Sequence, residues 1–123
     1  MVREILNKHN ELILKSIELL KELKELYKSL QKSKNEKKIQ FVLSDIERCI
    51  EYANYYLNDE SLYNASFFRF DSTLINFTDT IINDEFIEDK KKFKNRICEE
   101  LIICAKELIN ANDELRDSEL NSD

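Results

Sequence analysis

Four polar residues interrupt the apolar stripes of this 123-residue sequence and are the first candidates for chemistry: His9, Ser16, Asp71 and Lys94. Helical spacing places His9 and Ser16 at the centre of one apolar stripe, and Asp71 and Lys94 inside two later ones. An unpaired carboxylate in a core is unfavourable, so we expect Asp71 either to have a partner, with Lys94 as the candidate for an ion pair, or to lie at the edge of its stripe. The set could form a buried polar layer that fixes helix register or holds a site. The alternative is a neutral histidine and a serine bonded to the backbone within an ordinary core.

These residues do not make a catalytic constellation. The sequence pattern places no nucleophile beside a base, and the single histidine is predicted to face inward. A di-iron bundle needs Glu-x-x-His motifs and a phosphate-binding loop needs glycines, and this chain has neither. The three cysteines, Cys49, Cys98 and Cys104, form no Cys-x-x-Cys pair, so we expect buried thiols rather than a zinc site or disulfides. The sequence predicts no enzyme, no metal and no cofactor.

The chain contains no glycine and no proline, and this composition indicates which secondary structure positions these residues. Tight turns draw on both residues, so long helices joined by short polar corners fit the sequence best. Apolar residues recur with helical periodicity over about 2–31, 37–58, 60–83 and 85–115. Helices of this length with short links favour an all-α, antiparallel up-down-up-down four-helix bundle. One domain is predicted over 1–115, followed by a polar, frayed tail at 116–123.

The apolar stripes of the four predicted helices supply the candidate core. The first helix carries three heptad columns on one face: Ile5, Leu12, Leu19 and Leu26; Leu6, Ile13, Leu20 and Tyr27; His9, Ser16, Leu23 and Leu30. The later stripes are Ile39, Val42, Leu43, Ile46, Cys49, Ile50, Ala53 and Leu57; Tyr63, Phe67, Phe70, Leu74, Phe77 and Ile81; and Phe86, Phe93, Ile97, Cys98, Leu101, Cys104, Ala105, Leu108 and Leu115.

The net charge and the hydropathy of the chain argue against nucleic acids and membranes as general binding partners. The chain carries 25 acidic and 19 basic residues, a net charge of −6, which argues against general affinity for nucleic acid or anionic membrane. The longest uncharged run, 61–68, is far shorter than the ~20 residues of a membrane helix. The N-terminal residues already follow a charged helical pattern, so no signal peptide is expected. We therefore expect a cytoplasmic protein that does not enter a membrane.

A second stripe runs along the second predicted helix, opposite its core face. It consists of Phe41, Arg48, Tyr52 and Tyr55. Tyrosine and arginine are enriched in the residues that dominate binding energy at protein interfaces. The stripe therefore predicts a partner-binding surface, with half-covered tyrosines on an ordinary helix as the alternative.

Lysines collect where the first and third corners of the bundle are expected to meet. The segments 28–38 and 90–96 supply them, and the candidate anion-binding residues are Lys32, Lys34, Lys37, Lys38, Lys90, Lys91 and Lys92. We call this set the lysine surface. It predicts contact with nucleic acid or another anion, or else lysines that simply complement helix dipoles.

The functional hypothesis with most support in the sequence is a small acidic protein-interaction module of the inhibitor, immunity, antitoxin or regulatory type. Its partner would be another protein or a second copy of the chain, bound through the stripe on the second helix. Contact with an anion or nucleic acid through the lysine surface is the alternative, and an enzyme that uses His9 or Asp71 has least support.

Overall fold

The computed structural model describes residues 2–30, 36–58, 66–83 and 90–120. These residues form four α-helices and no strand: α1 (Val2–Lys28), α2 (Glu36–Asn58), α3 (Ser66–Ile82) and α4 (Lys91–Leu120). The prediction of an all-α four-helix bundle is confirmed. The segments 31–35, 59–65 and 84–89 lie outside the described residues. They include most of the first predicted corner, positions 59 and 84 of the other two, and the predicted starts of the third and fourth helices at 60 and 85.

The helices pack in a ring, each against the next in sequence, and α4 closes the ring against α1. Two contacts fix how α1 and α4 align. Ser16 lies close enough to Cys104 to influence the pKa of its thiol, and Lys90 Nζ lies 3.4 Å from Ser29 Oγ. Residue numbers therefore rise along α1 as they fall along α4, which is the antiparallel order expected of an up-down-up-down bundle.

Two helices end at different residues from those predicted. α4 continues to Leu120, so the expected tail at 116–123 is corrected: its first residues extend the last helix. The apolar periodicity that set the prediction stops near 115, but a charged helix can continue in water on intrinsic propensity alone. α1 ends earlier than predicted, at Lys28 rather than near 31.

The end of α1 shows how this chain closes a helix without glycine. The amide of Ser29 donates to Glu25 O at 3.1 Å, and the amide of Leu30 donates to Tyr27 O at 3.1 Å. The Ser29 hydroxyl donates to Leu26 O at 2.6 Å. These bonds satisfy carbonyls that a helix C-terminus leaves without a partner. Among the described residues, none has a positive φ angle.

The core lies on the shared axis of the bundle and matches most of the predicted stripes. Its largest fully buried side chains include Tyr27, Phe70, Lys94, Ile13, Leu20, Leu23, Ile39, Ile46, Leu74, Ile97 and Leu101. Phe93 was predicted to belong to this core, and that prediction is wrong: the ring is 44% exposed. It lies in the first turn of α4, where the Arg96 guanidinium stands 5.0 Å from its centroid. Phe86 and Leu115 lie outside the residues whose side chains are described.

Candidate interaction surface on α2

The outer face of α2 carries three exposed aromatic rings. Phe41 is 70% exposed, Tyr52 45% and Tyr55 57%, and Arg48 stands among them, also exposed. The structure thus places all four residues of the predicted stripe on one outward surface. Exposed apolar or aromatic groups that gather on one face often mark an interaction site, whereas scattered ones do not.

The rotation of α2 about its own axis is fixed by its opposite face. Ile39, Ile46 and Ala53 are fully buried there. On the flank next to α1, Glu47 forms an ion pair with Lys24. This contact lowers the pKa of the Glu47 carboxyl, chiefly through the hydrogen bond and charge of Lys24. With one face in the core and one flank tied to α1, the aromatic face must point away from the bundle.

Two further residues belong to this surface and were not among the predicted stripe residues. Lys38 and Asp45 continue the same spacing, because 38, 41, 45, 48, 52 and 55 alternate steps of three and four. That alternation is the a/d pattern of a helix seam that packs against another helix. Asp45 Oδ1 lies 3.9 Å from Arg48 Nη1, and the two side chains are 35% and 64% exposed. We call Lys38, Phe41, Asp45, Arg48, Tyr52 and Tyr55 the α2 seam. The alternating spacing of three and four residues is visible in the sequence, but it includes Lys38 and Asp45 only when charged residues are counted with the aromatic ones.

Elsewhere on the described surface, large exposed hydrophobic residues occur singly. They are Leu14 on α1 and Phe93 and Ile103 on α4. Leu14 is 51% and Ile103 54% exposed, so each matches an α2 aromatic in exposure without belonging to a seam. Scattered apolar residues of this kind are ordinary, whereas the cluster on α2 is not.

The lysine surface is only partly described. Lys37, Lys38, Lys90, Lys91 and Lys92 are exposed, whereas Lys32 and Lys34 lie outside the described residues. An open groove of about 1100 Å³ lies between the end of α1 and the start of α4. It is lined by Glu22, Glu25, Leu26, Ser29, Lys90, Lys91, Lys92, Phe93 and Asn95. Because two glutamates face the same groove as three lysines, its charge is mixed rather than uniformly basic.

The buried polar residues do not form a single layer. His9, Ser16 and Lys94 are all buried, as expected from their positions. The α1–α4 contacts, however, put Lys94 near the level of residue 26 of α1, about 25 Å along the axis from His9. The predicted layer is therefore corrected to separate sites at different heights. The Asp71 side chain lies outside the described residues, so the expected Asp71–Lys94 pair does too.

Ser16 shows how one of these polar groups is accommodated. Its hydroxyl donates to Leu12 O at 2.8 Å, and its proximity partly lowers the pKa of the Cys104 thiol. A serine that bonds back to its own helix is stable inside a core without any ligand. Since His9, Ser16 and Lys94 expose almost no surface to solvent, the described structure gives no substrate access to them.

The three thiols are buried, and burial sets their chemistry. Desolvation raises the pKa of Cys49 to about 11, helped by the nearby Asp45 carboxylate, and raises the pKa of Cys98 to about 11. Desolvation also raises the pKa of Cys104, partly opposed by the nearby Ser16. Within the described residues, no cluster of histidine, cysteine or carboxylate side chains could hold a metal ion.

We expect the native thiols to react with Ellman's reagent at pH 8 only as the protein opens, because the thiolate is the reactive form. An Ile103→Cys variant, with a thiol at an exposed position, should react at once and serves as the matched control.

The raised pKa values also predict lower stability in alkali. Between about pH 9 and 11 the unfolded chain releases thiol protons that the folded chain retains, so unfolding becomes more favourable as pH rises. Rapid modification of all three native thiols at pH 8 would contradict the buried placement.

Comparison with known proteins gives no relatives from which to assign a role. No protein-family model, no curated protein and no solved structure matches the chain. None of the described helices combines the length and the apolar character that crossing a bilayer requires.

Proposed function

We propose that this chain is a small acidic helical module that acts by binding another protein chain through the α2 seam. An inhibitor, immunity, antitoxin or regulatory role in the cytoplasm fits this description. The observation that carries the proposal is the exposure of Phe41, Tyr52 and Tyr55 around Arg48 on one face of one helix. Removing such rings from water stabilises a complex, and aromatic residues with arginine dominate the binding energy of known interfaces.

The contacts that hold α2 in the bundle support the same proposal. Its core face is closely packed and its α1 flank is held by the Lys24–Glu47 ion pair. A helix fixed in this way loses little backbone freedom when a partner docks. Each ring also has few rotatable bonds, so aromatic side chains supply contact area at a small entropic penalty.

Site-specific photo-crosslinking in cells that make the protein tests this proposal. A photoreactive phenylalanine analogue at position 41 or 55 is expected to capture one discrete partner chain. Leu14 and Ile103 are 51% and 54% exposed, comparable with 57% for Tyr55, but they lie off the seam, so the same analogue at position 14 or 103 should capture none. Excess unlabelled protein should compete with the capture. Equal capture from all four positions, or none from the seam, would refute the proposal.

The lysine surface supports a second, weaker proposal, contact with a nucleic acid or another anion. The exposure of Lys37, Lys38, Lys90, Lys91 and Lys92 favours it. The glutamates Glu22 and Glu25 in the adjoining groove and the net charge of −6 oppose it. Salt-sensitive binding of a nucleic acid that is lost when Lys37 and Lys38 are changed to Glu would support this alternative.

A further inference from the structure

The α2 seam has a symmetry that identifies its partner. Its central residues read aromatic, acid, base, aromatic: Phe41, Asp45, Arg48 and Tyr52. The pattern is symmetric about a point midway between positions 46 and 47, except that the two charges have opposite signs. A surface with this property is complementary to a copy of itself turned through 180° about that point. Isologous dimers use surfaces of this kind, in which residue i contacts residue j and j contacts i.

We infer that a second copy of this chain binds the α2 seam, with the two α2 helices antiparallel across a two-fold axis. This inference rests on the proposed function and names its partner. In this arrangement Asp45 faces Arg48 of the second copy and Phe41 faces its Tyr52. The next layer outward places Lys38 against Tyr55, where the ammonium can lie over the ring. Each layer pairs an a position with a d position, as antiparallel helix pairs require.

The charges decide the direction of pairing. A parallel arrangement would stack Asp45 on Asp45 and Arg48 on Arg48, and like charges directly opposed are unfavourable. In the antiparallel arrangement each Asp45 faces Arg48 of the second copy, so the four central charges alternate in sign. Asp45 and Arg48 lie only about 4.5 Å apart along the helix axis, on either side of the two-fold, so all four charges are close neighbours. Within one α2, Asp45 Oδ1 and Arg48 Nη1 lie 3.9 Å apart, and their side chains are 35% and 64% exposed.

The contact area indicates a reversible dimer. The three exposed rings of each chain present roughly 100 Å² apiece, so six rings bury on the order of 600 Å² in the pair. With the charged layers and flanking side chains, the interface reaches the low end of specific interfaces, about 1,200 Å². We therefore expect a dissociation constant in the micromolar range, dependent on the rings and tuned by the central charges.

A charge-swap series measured by sedimentation equilibrium tests this inference. Asp45→Arg alone puts arginine opposite arginine, and Arg48→Asp alone puts aspartate opposite aspartate. Each substitution acts twice in a symmetric pair, so each is expected to raise the dissociation constant at least tenfold. The double variant Asp45→Arg/Arg48→Asp restores opposite charges across the axis and should return to within about threefold of the wild-type value. Thermal melts of all four proteins check that the bundle remains folded.

Restoration by the double variant supports pairing through the α2 seam, because a dimer formed through another surface would not weaken in the single variants and recover in the double variant. Single variants that dimerise like the wild type, or a double variant that stays dissociated, would overturn the inference. A wild-type chain that remains monomeric would also overturn it. If photo-crosslinking from positions 41 and 55 then captured a different protein, the proposed binding function would stand without the self-pairing.

Discussion

Replacing Leu101 with alanine is expected to lower the free energy of unfolding by about 2–5 kcal/mol. Leu101 is fully buried on the face of α4 that packs against both α1 and α3. Truncation removes the apolar contacts of the Leu101 side chain and leaves a cavity. The four long helices that pack around it cannot readily close that cavity. Since small domains are stabilised by only about 5–15 kcal/mol, this single change removes a large share of the total. Urea denaturation monitored by circular dichroism measures it.

Ile103→Ala is the matched control for Leu101→Ala. It truncates an aliphatic side chain two positions further along the same helix, where the side chain is 54% exposed. Its effect should stay within about 0.5 kcal/mol. Similar losses for the two variants would mean that α4 does not turn its Leu101 face to the core as described.

The second large effect concerns association. Changing Phe41 and Tyr52 to alanine together is expected to raise the dissociation constant of the α2-seam dimer at least about 100-fold, because central aromatic residues at interfaces commonly contribute about 2 kcal/mol or more each. In a symmetric pair both aromatic layers disappear from both chains. Phe41 is 70% and Tyr52 45% exposed in the single chain, so the loss of unfolding free energy should be smaller than the loss of association free energy. Sedimentation equilibrium measures the association and urea denaturation the stability.

Leu14→Ala/Ile103→Ala controls for the loss of exposed apolar surface in general. It removes two comparably exposed side chains from α1 and α4, away from the seam. Its dissociation constant should match that of the wild type. If the Phe41/Tyr52 variant associated as well as this control, the seam would not be the contact surface.

The sequence predicts the helices well where heptad columns are long. In α1, Leu12, Leu19 and Leu26 recur on one face and all three are buried. α2 was also predicted with the correct two faces, since its core stripe and its outer stripe differ in composition and both keep helical spacing. Periodicity of this kind is a local property, so it can be identified without knowing the neighbours.

Three features depended on information that local spacing does not hold. Lys94 and His9 each lie on an inward face, but whether they share a level depends on the register between α1 and α4. Phe93 has core spacing, yet its place in the first turn of α4 leaves it at the open groove. The extension of α4 to Leu120 follows from propensity after the apolar pattern has stopped. The order of acid and base at Asp45 and Arg48, on which the proposed pairing depends, is by contrast visible in the sequence itself.

The most direct test of this account is the solution mass of the unmodified chain, measured by light scattering from micromolar to millimolar concentration at low and high salt. We expect a mass that rises from 14.7 kDa towards twice that value. The rise should persist in high salt, because aromatic burial rather than charge contributes most of the association. A mass that stays at 14.7 kDa at every concentration would contradict the self-complementary α2 seam.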